Sequence, residues 1–166
     1  MRHAMRNPLL TIAPLWQRGV ALLEWLQAPA LLATRLFVAK VFFLAGLTKI
    51  RKWDITLALF DDEYHVPLLN PDFAAYLATT GELVLPVLLV LGLGGRFAAL
   101  GLSILNVVAV LSLAEVPEAA MTGHLFWGSL LAVVALWGPG RWSIDHWLAA
   151  PMPRGAAAPA LQPASR

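Results

Sequence analysis

Four long apolar runs, separated by short polar stretches, set the plan of this chain. They read as helices over about residues 29–48, 73–93, 97–116 and 119–138. Each is close to the ~20 residues that an α-helix needs to cross a ~30 Å hydrocarbon core. Pro29 is well placed as the first helical residue of the first run. Gly92, Gly94 and Gly95 predict a tight turn between antiparallel second and third runs; without a preceding strand or a Walker-type lysine they do not make a phosphate loop. Ahead of the first run, Leu15, Gly19, Leu22, Leu23 and Leu26 recur at helical spacing, and Trp16 and Trp25 suit a helix lying in the membrane interface. The competing reading is that this segment extends the first span. The only long connection is 53–72, where Trp53, Leu57 and Phe60 line one side of a short helix before the acidic Asp61-Asp62-Glu63. Trp142 and Trp147, with Arg141, predict a surface helix after the fourth run. The expected architecture is therefore all-α: an integral membrane four-helix bundle over 29–148, preceded by a basic arm and interfacial helix (1–28) and followed by a disordered Ala/Pro-rich tail (149–166).

Polar residues inside the apolar runs carry the chemistry. Glu82 is the tenth residue of the second run, so at ~1.5 Å per residue it lies about 14 Å from either end. A carboxylate at that depth costs at least ~2.5–3.5 kcal/mol and must be paired, protonated or turned to a polar cavity. Ala75, Ala78 and Thr79 on its face are small enough to let a neighbouring helix approach. In the first run, Arg35, Phe42, Gly46 and Lys49 fall within about 60° of one another at 100° per residue, so this stripe should face the bundle. Lys40 sits roughly 140° from Arg35 on the same helix. The third run contributes Ser103 and Asn106, and the fourth carries His124 near its start.

Composition makes the membrane reading firm. The chain is 59% hydrophobic and 13% charged, with a mean hydropathy of +0.70, whereas soluble domains are about a quarter charged. A net charge of +2, scattered along the chain, does not fit a nucleic-acid partner. With no cysteine, disulfides, thiol catalysis, Cys-ligated clusters and c-type haem attachment are all excluded. Met121 and His124 are helical neighbours, but a single intramembrane histidine argues for a hydrogen-bonding role over haem ligation. Asp61, Asp62, Glu63 and His65 are read as a solvated loop, so no metal site is expected. Residues 1–14 are basic and interrupted by Pro8 and Pro14, with no Ala-x-Ala site, and do not read as a cleaved leader.

Basic residues orient the chain. Arg2, Arg6, Arg18, Arg96, Arg141, Arg154 and Arg166 gather on one side, against Lys49, Arg51 and Lys52 on the other. The excess places both termini in the cytoplasm of a bacterial inner membrane, with the 53–72 connection outside. Measured from the outer side at ~1.5 Å per residue, Lys40 and Glu82 lie about 12–14 Å deep, Asn106 about 15 Å and Arg35 about 20 Å. Together with His124, these groups form a candidate buried polar site, with Arg35–Glu82 as the expected primary pair and Lys40 left for another partner, such as a second protein.

The order of these residues resembles the DoxX family of small bacterial membrane proteins. The resemblance rests on Arg35, Phe42-Phe43, Gly46 and Lys49, then Gly81-Glu82, then Leu91-Gly92 before Arg96, and covers roughly residues 32–138. It implies a four-helix membrane bundle and a loose association with redox assemblies or with oxidative- and metal-stress operons. Chemistry of the matching residues Arg35, Gly46, Lys49, Glu82 and Arg96 would suit a quinone headgroup or an anion, while no catalytic site transfers. Three functions follow. The first is a membrane subunit or partner of a redox or stress-response assembly that interacts with quinone. The second is a non-enzymatic anchor or assembly factor, and the third, placed behind these, a small proton-coupled transporter. The expected partners are the lipid bilayer and other membrane or periplasmic proteins, with oligomerisation open.

Overall fold

The apolar runs become the backbone of a helical bundle in a computed structural model that describes residues 8–149, with side chains from Pro14 onward. The basic arm before this and the Ala/Pro-rich tail from residue 150 lie outside the described residues. Six helices follow in order: α1 (Pro8–Arg51), α2 (Trp53–Asp62), α3 (Pro71–Leu91), α4 (Gly95–Leu111), α5 (Glu118–Trp137) and α6 (Ile144–Ala149). Among the described residues, three segments are long and apolar enough to cross a membrane: Pro14–Arg51, Pro71–Leu91 and Glu118–Trp137. Helix α4 is as apolar but has only 17 residues, or about 25 Å of rise.

The N-terminal segment departs from the expected arrangement. It is not a separate interfacial helix: α1 runs for 44 residues through Pro14 and Pro29 without interruption. A proline within a helix removes one backbone hydrogen bond, and good helix formers on both sides (Ala28, Ala30, Leu31 and Leu32) carry the helix past it. Leu15, Trp16, Leu22, Leu23 and Trp25 remain exposed on this extension.

Helix ends are set by local chemistry. Asn70 accepts a hydrogen bond from the Asp72 amide at 3.0 Å, and Pro71 then opens α3 two residues before the expected Phe73. Gly92 closes α3 with φ 64°, a left-handed conformation that glycine adopts without a Cβ penalty. At its far end α4 stops at Ser112, whose hydroxyl turns back to the Val108 carbonyl at 2.7 Å. The His65 amide donates to the Ser112 carbonyl at 2.9 Å and ties the long connection to this end of the bundle.

Helix α1 packs along α3, α3 on α4 and α4 on α5, and a contact of α5 with α1 closes the group. The core is small and tight: Val38, Ala39 and Phe42 from α1 meet Leu89, Ala98, Ala99, Leu102, Leu131 and Val134. Small residues bring α3 and α4 together. A Cβ at Gly81 would lie 2.7 Å from Leu105, and one at Gly101 would lie 2.7 Å from Leu85, so each glycine receives the opposite leucine. The outward faces keep large apolar side chains, among them Val84, Val87, Leu100, Ile104, Phe126 and Leu136. Such a surface suits lipid. A second cluster forms where Phe60 of α2 packs on Ala74 and Ala75 of α3 beside Trp53 and Leu57, the apolar side anticipated for the short helix.

Candidate functional site

Polar side chains inside the bundle gather in three places rather than one layer. The first lies between α1 and α3. Gly46 is buried where α1 crosses α3, and a Cβ there would stand 2.9 Å from Leu83 Cγ and 3.0 Å from Glu82 Cβ. This approach brings Lys49, almost one turn later, down onto Glu82. The Lys49 ammonium donates to both carboxylate oxygens, at 2.8 and 2.6 Å. Their side chains keep 22% and 13% of their surface accessible. Pro86, four residues on, has no N–H to offer the Glu82 backbone carbonyl, so the α3 ladder is interrupted at the charged residue itself.

Lys49–Glu82 is the one salt bridge among the described residues. It overturns the expected Arg35–Glu82 pairing. The axial offset between α1 and α3 is fixed by Gly46 against Glu82 and Leu83, and at that offset Lys49 is the cation in reach.

The second place is the opposite end of α3. Arg35 is completely buried. Its guanidinium donates from Nη1 to the carbonyls of Leu89 (3.3 Å) and Val90 (3.1 Å), and from Nη2 to the carbonyl of Trp142. The α3 acceptors belong to its last turn, where carbonyls lack intrahelical partners and the helix dipole is negative. A buried cation is thus held by a helix C-terminus and by the α5–α6 turn, with the Asp145 carboxylate near enough to attract it. Asp145 itself accepts from the amides of Gly94 and Gly95, both at 2.8 Å, and caps α4, while its own amide donates to the Gly92 carbonyl at 2.9 Å. Sequence reasoning missed Asp145. The available signal was a helix opening on Gly94 with no capping side chain of its own.

The third place joins α4 to α5. Asn106 is buried and donates to the His124 carbonyl at 2.9 Å, while its own side-chain oxygen pairs with His124 Nδ1 at 2.8 Å. Gly128 leaves the space Asn106 occupies, since a Cβ there would be 3.2 Å from its amide nitrogen. His124 also stands edge-on to Trp127. Lys40 belongs to none of these groups. It is exposed on the outer face of α1, which corrects its placement in the buried site. Depth along the helix had grouped it with Glu82, whereas its angular position turns it away from α3. Arg96 is likewise exposed and donates to the Leu136 carbonyl of α5 at 3.3 Å.

Beside the Lys49–Glu82 pair a cleft of about 270 Å³ opens between α1, α2 and α3, lined by Ile50, Trp53, Tyr76, Thr79, Thr80 and Leu83. Trp53 and Tyr76 lie against each other with ring centres 4.7 Å apart. The Thr79 hydroxyl, on the same helical face as Glu82, is buried without a hydrogen-bond partner among the described residues. In the neighbouring loop, burial raises the Tyr64 phenol pKa above its ordinary value, and Glu63 and Glu82 push it the same way. No group of three or more acidic or histidine side chains converges on a metal position among the described residues.

The order Arg35–Gly46–Lys49 on one helix, Glu82 on the next and Arg96 opening the third now has a geometry behind it. The DoxX family model matches residues 30–115, just over half of the chain. This is a DoxX-family membrane protein. The match takes in the bundle portion of α1, all of α2, α3 and α4, and with them the Lys49–Glu82 pair, Arg35 and Arg96. It ends before α5 and α6, so His124, Trp142 and Asp145 lie beyond the matched residues. No curated protein and no solved structure matches the chain.

Proposed function

We propose that this DoxX-family protein crosses a bacterial inner membrane four times and serves as the membrane subunit or partner of a redox or stress-response assembly. Its Lys49–Glu82 pair and the adjoining cleft receive a quinone headgroup. The carrying observation is the conjunction of a partly open charge pair with an aromatic-walled cleft that holds an unpartnered buried hydroxyl, Thr79. The cleft, at about 270 Å³, is a little smaller than the ~300 Å³ at which small-molecule sites begin, room enough for one ring. Trp53 and Tyr76 would pack against such a ring, and rotation of the Thr79 side chain, whose hydroxyl is now covered, would let it hydrogen-bond one of its carbonyls. A quinone supplies two-electron chemistry. The chain supplies a carboxylate able to exchange a proton and an ammonium that hydrogen-bonds both of its oxygens.

Helix α4 counts as the fourth crossing, because its 17 mostly apolar residues lie at the lower limit for a span and it is packed between α3 and α5. The basic-residue excess orients both termini to the cytoplasm.

The test is gentle purification from native membrane followed by quinone extraction, an absorption spectrum and identification of co-purifying proteins. Quinone retained by the wild type and lost in Thr79→Val or Glu82→Gln supports the site. Its absence from an intact native complex refutes it. A second reading, a non-enzymatic anchor, is favoured by one specific observation: each buried charge already has partners within the chain, Glu82 an ion pair with Lys49 and Arg35 hydrogen bonds to carbonyls.

A further inference from the structure

At the end of the bundle away from α2, the turn from α5 to α6 folds beneath the start of α4 and leaves a shallow cavity of about 450 Å³. Arg96 from α4, Arg141 from the turn and His146 from α6 line it, beside Trp137 and Asp145. We propose that this cavity binds the phosphate of an anionic phospholipid headgroup.

Two of the charged side chains at the cavity are free to act on a ligand. Both Asp145 oxygens are occupied by the Gly94 and Gly95 amides, so the acid faces the α4 N-terminus. Arg96 makes one hydrogen bond, to the Leu136 carbonyl, among the described residues. A guanidinium has five N–H donors in a planar fork, so four remain, enough to take a phosphate through two oxygens at once. Arg141 makes no hydrogen bond or ion pair among the described residues and is exposed. The turn is shaped for this placement. Gly138 has φ 88°, a conformation that favours glycine, and the Arg96 guanidinium lies within van der Waals contact of its Cβ position, 3.4 Å from Nε, at the end of α5.

The surroundings select lipid over a soluble ion. Trp137 and Trp147 are 70% and 77% exposed, as tryptophans at a bilayer surface are. Below the cavity, Phe97, Leu100 and Leu136 present an exposed apolar wall along which an acyl chain can lie. Two guanidinium groups would repel the choline of a zwitterionic headgroup and favour net negative lipid. The proposal is independent of any redox role and rests only on the chain spanning a membrane.

Native mass spectrometry of the full chain, released from phosphatidylcholine nanodiscs containing a minor fraction of phosphatidylglycerol, tests it. The wild type should retain phosphatidylglycerol in excess of its share. Arg96→Gln/Arg141→Gln should lower that retention by roughly tenfold or more, the usual weight of two interfacial cations. Arg141→Gln alone should lower it severalfold, which keeps the test decisive if loss of Arg96 disturbs α5. Arg51→Gln/Lys52→Gln, at the opposite end, should leave it unchanged. Equal retention in the Arg96/Arg141 variants, or an equal loss in the Arg51/Lys52 control, overturns the site. Thermal protection by inorganic phosphate in pure phosphatidylcholine nanodiscs, as large as that from phosphatidylglycerol, assigns the cavity to soluble phosphate and overturns the lipid. No enrichment in the wild type also overturns it and leaves the arginines to an acidic protein partner.

Discussion

Lys49 grips both oxygens of Glu82 from almost one turn beyond the glycine that lets their helices touch. Removing either partner leaves a charge with restricted access to water. Breaking such a buried pair costs about 3 kcal/mol, and the partial accessibility of this one puts it at the low end of the usual range. Lys49→Ala and Glu82→Ala should therefore each lower the thermal stability of purified protein, and the double variant should regain part of the loss. Arg35→Ala combined with Glu82→Ala should show no such recovery. A double-mutant cycle on melting in detergent measures both, and coupling of Arg35 in place of Lys49 would reverse the assignment.

The same contact makes Gly46 sensitive. A methyl group there meets Leu83 and Glu82 at 2.9–3.0 Å, so Gly46→Ala should cost about 1–3 kcal/mol by overpacking. Gly46→Val should separate α1 from α3 and raise the reactivity of a reporter cysteine placed at Leu83. Gly19 is the control, because nothing lies within 4 Å of its Cβ position. Gly19→Ala should be neutral or mildly stabilising through helix propensity.

Arg35 acts as a clasp rather than as an ion-pair partner. Its planar fork reaches carbonyls on two separate segments, the end of α3 and Trp142. A lysine ammonium is a point donor on a flexible stem and cannot span both. Arg35→Lys should thus lose most of what Arg35→Met loses, and both should expose the α5–α6 turn to limited proteolysis. Proteolysis of Arg35→Lys at the wild-type rate would show that charge alone suffices.

How far the sequence could be read depended on whether a relationship was local. Arg35, Phe42, Gly46 and Lys49 were legible as one face of a helix because 100° per residue is a property of a single element. Which of them would meet Glu82 was not legible, since it depends on the axial offset of two helices set by Gly46 and Leu83. Lys40 shares Glu82's depth, but its angle of roughly 140° from Arg35, which already set it apart from that stripe, is what decides its exposure. Arg35's true partners are main-chain carbonyls, which leave no mark in a side-chain pattern. Asp145 caps amides some fifty residues away, a contact visible only in the folded chain. Asn106 and His124 were each picked out, but their mutual bond requires the α4–α5 packing that Gly128 permits.

Orientation can be checked directly. Reporters fused after residue 150 should read cytoplasmic, and reporters inserted near the exposed Asp61 should read exterior. A tag in the turn at Glu115, between α4 and α5, should share the exterior side with Asp61. If α4 does not cross, Glu115 and the Gly94 turn will report on the same side, and the four-crossing reading fails.

Glu82→Gln separates work from packing. The amide nearly matches the carboxylate in shape and keeps one acceptor for the Lys49 ammonium, but it can neither carry charge nor release a proton. If the pair only fixes the register of α1 on α3, the variant should fold slightly less well. It should then support its native assembly and that assembly's activity in proportion to the protein present. If Glu82 holds a proton beside a quinone in the Trp53–Tyr76 cleft, the variant should accumulate, assemble and lose activity out of proportion, with a shifted pH profile in what remains. Perturbed carboxylates at buried sites serve both ends, so amount and activity must be measured on the same membranes. Thr79→Val completes the comparison, since it removes only the unpartnered hydroxyl and leaves the Lys49–Glu82 bond untouched. Loss of activity in Glu82→Gln and Thr79→Val together places the chemistry in the cleft. Full activity per molecule in both makes the pair a packing device and the chain an anchor.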